Sequence, residues 1–140
     1  NTLLGMVIDT ETMRPALAGV TGGLSGPAIR PIAVRCIWQI RSALPDLPII
    51  GMGGVRTGHD ALEMILAGAN AISVGTSIFN DPAAPMRIQK ELEQELRSRG
   101  FESLTQAISF AHREVSEAVT ETAAGESIDH GEQNWDFISE

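Results

Sequence analysis

From residue 27 to residue 113 the chain alternates two patterns: apolar positions at a helical period, and short apolar runs that stop at glycine. Ile29, Ala33, Ile37, Ile40 and Leu44 recur every three or four positions, which predicts a helix from Pro27 to about Leu44 with one buried face. Pro27 suits its first position, with Ser25 or Gly26 near the cap, and Pro45-Asp46 ends it. The run 47–52 is apolar without alternation and predicts a strand buried on both faces. Thr57-Gly58-His59-Asp60 sets a capping hydroxyl three residues before an acid, so a second helix starts there. It buries Ala61, Leu62, Ile65 and Leu66 and closes at Gly68, and residues 70–74 predict a second strand. A charged amphipathic helix runs from Asp81-Pro82 to about Arg99, Gly100 stops it, and residues 103–113 predict a short last helix. Strands and helices alternating across short links predict parallel β/α units. Residues 1–26 mix short apolar pieces with glycine and read mostly as loop, with Asn1-Thr2 as the end of a preceding strand.

The glycines at the strand ends carry the first chemical hint. One run closes on Gly51-Met52-Gly53-Gly54, the other on Gly75-Thr76. Glycine at a strand-to-helix turn either serves backbone geometry alone or lets main-chain amides come close to an anion, with the helix start adding partial positive charge. The ends lie 22 residues apart, Gly53 to Gly75, a spacing that suits neighbouring strands of an α/β barrel. A phosphate commonly sits between the last two strand ends of that fold. The pattern therefore points to a phosphorylated ligand and makes the chain an enzyme candidate.

Composition narrows this picture. With 140 residues and 43% hydrophobic content the chain can bury one core. A whole eight-stranded α/β barrel needs roughly 250 residues, so a piece of a longer barrel is expected. No run reaches the ~18 apolar residues of a membrane span. The single cysteine, Cys36, excludes an internal disulfide and suits a reducing, cytoplasmic setting. It lies mid-helix beside Ile37 with no partner placed to activate it, so it reads as a packed core thiol. His59, His112 and His130 form no metal-ligand spacing and take no catalytic role. The net charge of −8 is uneven: residues 1–113 hold ten acidic and ten basic residues, whereas 114–140 hold eight acidic residues and no Lys or Arg. The segment 114–140 is therefore expected to be a disordered acidic tail, with Trp135, Phe137 and Ile138 leaving room for a short binding epitope. No basic stripe is present, which speaks against nucleic-acid binding.

Five motifs in order carry a family resemblance. They are Asn1-Thr2-Leu3-Leu4-Gly5-Met6, Asp9, the loop from Gly22-Gly23-Leu24-Ser25-Gly26-Pro27 to Pro31, Gly51-Met52-Gly53-Gly54-Val55 and Gly75-Thr76. Together they resemble the dihydroorotate dehydrogenase family, nearest the class I, NAD-linked type B catalytic subunit, over residues 1–113. The resemblance implies the C-terminal portion of a (β/α)8 TIM barrel, from the end of strand six through helix eight. It also implies FMN-dependent oxidation of dihydroorotate to orotate in pyrimidine synthesis. Asn1 and Thr2 then look like substrate contacts, Gly26 like an FMN contact, and Gly53, Gly54, Gly75 and Thr76 like the phosphate-binding ends of strands seven and eight. Ser25 is open between a helix cap and a site role, and Arg30 reads as decoration of the first helical turn. The family's cysteine base would lie upstream, so no catalytic residue is assigned here. Also implied are a partner subunit with FAD and an iron–sulfur cluster passing electrons to NAD, and a homo-oligomer of the catalytic subunit. Residues 1–140 alone are not expected to turn over dihydroorotate. Two alternatives stand beside this: a dihydropyrimidine dehydrogenase-like flavoenzyme, and a non-catalytic flavin- or phosphate-binding partial barrel.

Overall fold

The computed structural model describes residues 2–113. The expectations for Asn1, for the tail 114–140 and for His130 lie outside the described residues.

Two parallel strands backed by helices make the centre. Strand β5 (Ile50–Met52) pairs in parallel with β6 (Ala71–Ser73), Ile50 opposite Ala71 and Met52 opposite Ser73. The crossover between them is α2 (Gly58–Leu66), as the alternation predicts. Helix α1 (Arg30–Ala43) follows a single 3-10 turn at Pro27–Ile29, and α4 (Ala84–Ser98) packs along α2. The capping box is present: Thr57 Oγ1 accepts from Asp60 N, and the Asp60 carboxylate accepts from Thr57 N. Leu62, Met64 and Ile65 of α2 are fully buried, with Ile37, Ile49, Ala69, Ile88 and Leu96 around them. The sheet is covered on one face only: Gly51 is buried against the helices, while Ile50 and Met52 are exposed. The expectation of a strand buried on both faces is corrected accordingly, because the described residues supply helices to one side.

Other expectations change too. Residues 3–24 are not loop. Strands β1 (Leu3–Met6) and β4 (Thr21–Leu24) pair antiparallel, and β2 (Ile8–Asp9) and β3 (Arg14–Pro15) continue the same arm toward its tip. The Asp9 carboxylate turns the tip by accepting from Glu11 N at 2.9 Å and Thr12 N at 3.3 Å, bonds that hold its pKa below the usual carboxylate value. Leu4, Met6, Val7 and Ile8 are all exposed, so no inside–outside alternation marks these strands in the sequence. On α1 the buried line runs from Ile37 to Arg41 and leaves Ile40 and Leu44 exposed. Cys36 is exposed as well, not a packed core thiol, because it sits one residue off that line.

A guanidinium takes a core position because acceptors converge on it. Arg41 donates to Gly68 O through Nε at 3.1 Å and through an Nη at 2.7 Å, to Asn70 Oδ1 at 2.7 Å, and to Pro45 O. Asn70 Oδ1 also accepts from Ile49 N at 2.9 Å, and Asn70 N donates to Ile49 O at 2.8 Å. These bonds lock the entry ends of β5 and β6 side by side, which sets the alignment of their exits.

Past α4 the expected helix 103–113 is interrupted. Helix α5 (Leu104–Ala107) stops, Ser109 adopts a left-handed φ of 61°, and its N–H caps the Ile65 carbonyl at the end of α2 at 3.1 Å. That carbonyl also accepts from Gly68 N at 2.9 Å, so the bond from Ser109 ties the turn after α5 to the end of α2. The one-turn helix α3 (Ser77–Asn80) follows β6 and was not foreseen.

Candidate functional site

The exits of β5 and β6 meet the loop that precedes α1, and three ties hold them together. Gly54 lies against the loop: a Cβ placed on it would stand 2.5 Å from Gly26 O and 3.1 Å from Arg30 Cβ. Ser77 Oγ donates to Val55 O at 2.8 Å, joining the β6 exit to the β5 exit. Thr76 Oγ1 donates to Ser25 Oγ at 3.0 Å, joining the β6 exit to the loop. Between them is a cavity of about 700 Å³ lined by Thr2, Gly26, Gly53, Gly54, Gly75 and Thr76, with Arg56 also on its wall. Every described residue expected at a ligand therefore faces one space.

Glycine is required here for two separate reasons. Gly53 and Gly54 have φ of 122° and 74°, a region that side chains disfavour, and Gly54 also has a carbonyl where its side chain would be. Gly75 differs: its φ is ordinary and open space lies where a Cβ would go. Neither backbone strain nor a protein neighbour excludes a side chain at Gly75.

The rim is held by a set of polar groups centred on one buried carboxylate. Asp60 is buried, and its Oδ2 accepts from Arg56 N at 2.9 Å and Thr57 N at 3.0 Å, while Oδ1 accepts from Arg30. Arg30 Nε lies 3.0 Å from Glu63 Oε2, an ion pair without hydrogen-bond alignment. Arg30 is therefore not decoration; it clamps α1 to the start of α2. Ser25 is not a cap either, since Gly26 holds the cap position and makes no side-chain bond there. Glu91 of α4 accepts from Gly58 N at 2.7 Å and from Arg87 at 2.7 Å. The Arg87 bond and then the Gly58 bond hold the Glu91 carboxyl below its ordinary pKa, and Arg87 is raised by Glu91 and then Asp81. The N–H groups of Arg56, Thr57 and Gly58 leading into α2 are consequently held by the carboxylates of Asp60 and Glu91.

The capping motif was the signal for Asp60, but its grip on Arg56 depends on the path of the turn. Nothing local marked Ser77 or Glu91, which act across 22 and 33 residues of sequence. Among the described residues no group of three His, Cys, Asp or Glu could hold a metal ion, and no helix is long and apolar enough to cross a membrane. Cys36 is not among the residues that line the cavity.

Fold and cavity define the class: an α/β protein whose neighbouring parallel strands end in glycine around one ligand-sized space. A family model described as dihydroorotate dehydrogenase matches residues 1–96. The chain is 56% identical over 108 residues to the dihydroorotate dehydrogenase B (NAD(+)) catalytic subunit of Geobacter sp. (strain M21), covering 77% of this chain and 35% of the relative. It is 51% identical over 113 residues to the protein of the same description from Desulforudis audaxviator (strain MP104C), covering 81% and 36%. Among solved structures, DHODH from Eimeria tenella in complex with ferulenol matches with a TM-score of 0.67 and 32% identity, over 81% of this chain and 30% of that one. The chain belongs to the dihydroorotate dehydrogenase family. It spans about a third of the length of the curated relatives it matches.

Proposed function

We propose that residues 1–113 form the FMN-phosphate end of a (β/α)8 barrel flavoenzyme that oxidises dihydroorotate to orotate. The observation that carries this is the convergence of Thr2, Gly26, Gly53, Gly54, Gly75 and Thr76 on one cavity, with open space above Gly75. The residues fit a flavin mononucleotide: two glycine strand ends bare their amides, and the Thr76 hydroxyl stands beside them. FMN, when bound, supplies the acceptor for the hydride and the redox chemistry.

The chain's own part is to bind and to orient. Gly53, Gly54, Gly75 and Thr76 hold the phosphate through their main-chain amides, and Gly26 borders the cofactor. The clamp of Arg30 and Asp60 keeps the loop and the β5 exit in place around it. Thr2, with Asn1 beside it in sequence, offers a hydroxyl and an amide that can hydrogen-bond the carboxylate and ring amides of the substrate. No residue described here is assigned as the base. A partner subunit carrying FAD and an iron–sulfur cluster, a homo-oligomer of the catalytic subunit, and a cytoplasmic setting complete the proposal. The relatives' description as NAD(+)-linked catalytic subunits supports the first of these.

The test is anaerobic addition of dihydroorotate to the native-length protein reconstituted with FMN. Bleaching of the oxidised flavin band with release of orotate is expected. A protein that retains FMN but is not reduced would leave only the non-catalytic flavin binder.

A further inference from the structure

Three arginines come near the cavity, and they are not equivalent. Arg30 is neutralised by Asp60 and Glu63. Arg87 is held by Asp81 at 3.0 Å and Glu91 at 2.7 Å. Arg56, two residues after Gly54, also lines the cavity, and among the described residues no carboxylate forms an ion pair with its side chain. Its main chain, by contrast, is fastened on both sides. Asp60 Oδ2 accepts from its N–H at 2.9 Å, and its carbonyl accepts from Arg87 Nη1 at 3.2 Å. The backbone of Arg56 is thus anchored at the β5 exit while its guanidinium is left uncommitted.

That arrangement adds positive charge beside the entry to α2, where the N–H groups of Thr57 and Gly58 already serve Asp60 and Glu91. A phosphate near Gly53 and Gly75 would find neutral amides and hydroxyls, with the negative Asp81 also on the cavity wall. A guanidinium matches a phosphate with two parallel donors and carries a charge that does not titrate in the physiological range. We propose that Arg56 is the charged ligand of the cofactor phosphate and sets the preference of this site for a phosphorylated over an unphosphorylated flavin. This rests on the reading of the cavity as a flavin-phosphate site.

Titration of the apo, native-length protein with FMN and with riboflavin, followed by flavin fluorescence, tests it. The wild type should bind FMN far more tightly than riboflavin, and added salt should weaken FMN alone. Replacing Arg56→Gln should loosen FMN at least about tenfold and leave riboflavin unchanged, since the charge-assisted fork to the phosphate is lost and the rest of the cavity is kept. Arg56→Lys should fall between, because an ammonium keeps the charge and loses the fork. Arg35→Gln removes the same charge from α1, away from the cavity, and should change neither affinity. If R56Q and R56K keep the full wild-type preference for FMN, the role of Arg56 is overturned and the phosphate site stands. If the wild type itself binds riboflavin as tightly as FMN, the phosphate site falls and Arg56 with it. Should R56Q fail to fold, R56K and the salt dependence still decide between these outcomes.

Discussion

Substituting Gly75→Ala and Gly54→Ala separates a glycine kept for a ligand from one kept for the fold. At Gly75 the φ is ordinary and no heavy atom lies within 4 Å of the added methyl, so the change in stability should stay within about 0.5 kcal/mol. The methyl enters the space assigned to the phosphate, and it should raise the dissociation constant of FMN at least about tenfold, or ~1.4 kcal/mol. At Gly54 the φ is 74° and the methyl would stand 2.5 Å from Gly26 O. A left-handed non-glycine residue costs about 1–2 kcal/mol and forced repacking about 1–3, so G54A should lose roughly 2–5 kcal/mol in stability as well as flavin. Urea unfolding followed by tryptophan fluorescence reads the first quantity, and flavin titration of the native-length apoprotein reads the second. The reasoning is refuted if G75A binds FMN as tightly as the wild type. It is refuted equally if G75A loses flavin only in proportion to a loss of stability.

Three further outcomes are expected. Arg41→Met leaves Gly68 O and Pro45 O without their donor, and should cost about 2–4 kcal/mol in urea unfolding; an unchanged midpoint would remove Arg41 as the lock on the strand entries. Asp60→Ala leaves the N–H groups of Arg56 and Thr57 without their acceptor and Arg30 with Glu63 alone, so it should destabilise by about 3 kcal/mol and weaken FMN, with Asp60→Asn recovering part of both. Glu91 has a folded pKa below its ordinary value of 4.5, so the stability it adds is present above that pH and fades as pH falls through the lower, folded value. The gap in melting temperature between wild type and Glu91→Gln should therefore be constant near neutrality and close in acid; a gap that widens in acid would contradict the assigned bonds.

Periodicity alone exposed the β/α alternation, because helices and strands packed on a common core must repeat their apolar positions at 3.6 or in continuous runs. The capping box of α2, the helix ends at Gly68 and Gly100, and the two glycine strand ends were all legible, since each depends on residues a few positions apart. The hairpin arm was not legible. Its strands find their partners across the chain and bury too little to alternate. The exposure of Cys36 escaped for a related reason: one residue decides which side of a helix faces the core, and Arg41 drew that face toward Gly68 and Asn70.

By itself the sequence determined the alternation of elements and the two glycine strand ends, and its family resemblance supplied the candidate set Asn1, Thr2, Gly26, Gly53, Gly54, Gly75 and Thr76. Only the tertiary structure decided that Thr2, Gly26, Gly53, Gly54, Gly75 and Thr76 share one cavity, that Asp60 and Glu91 hold the N–H groups leading into α2, and that Arg56 alone of three arginines is unpaired by a carboxylate among the described residues. The division has a physical cause. Caps, turns and periodicity are set by neighbours in the chain, whereas the pairing of a charge is set by whatever the fold brings within hydrogen-bond reach.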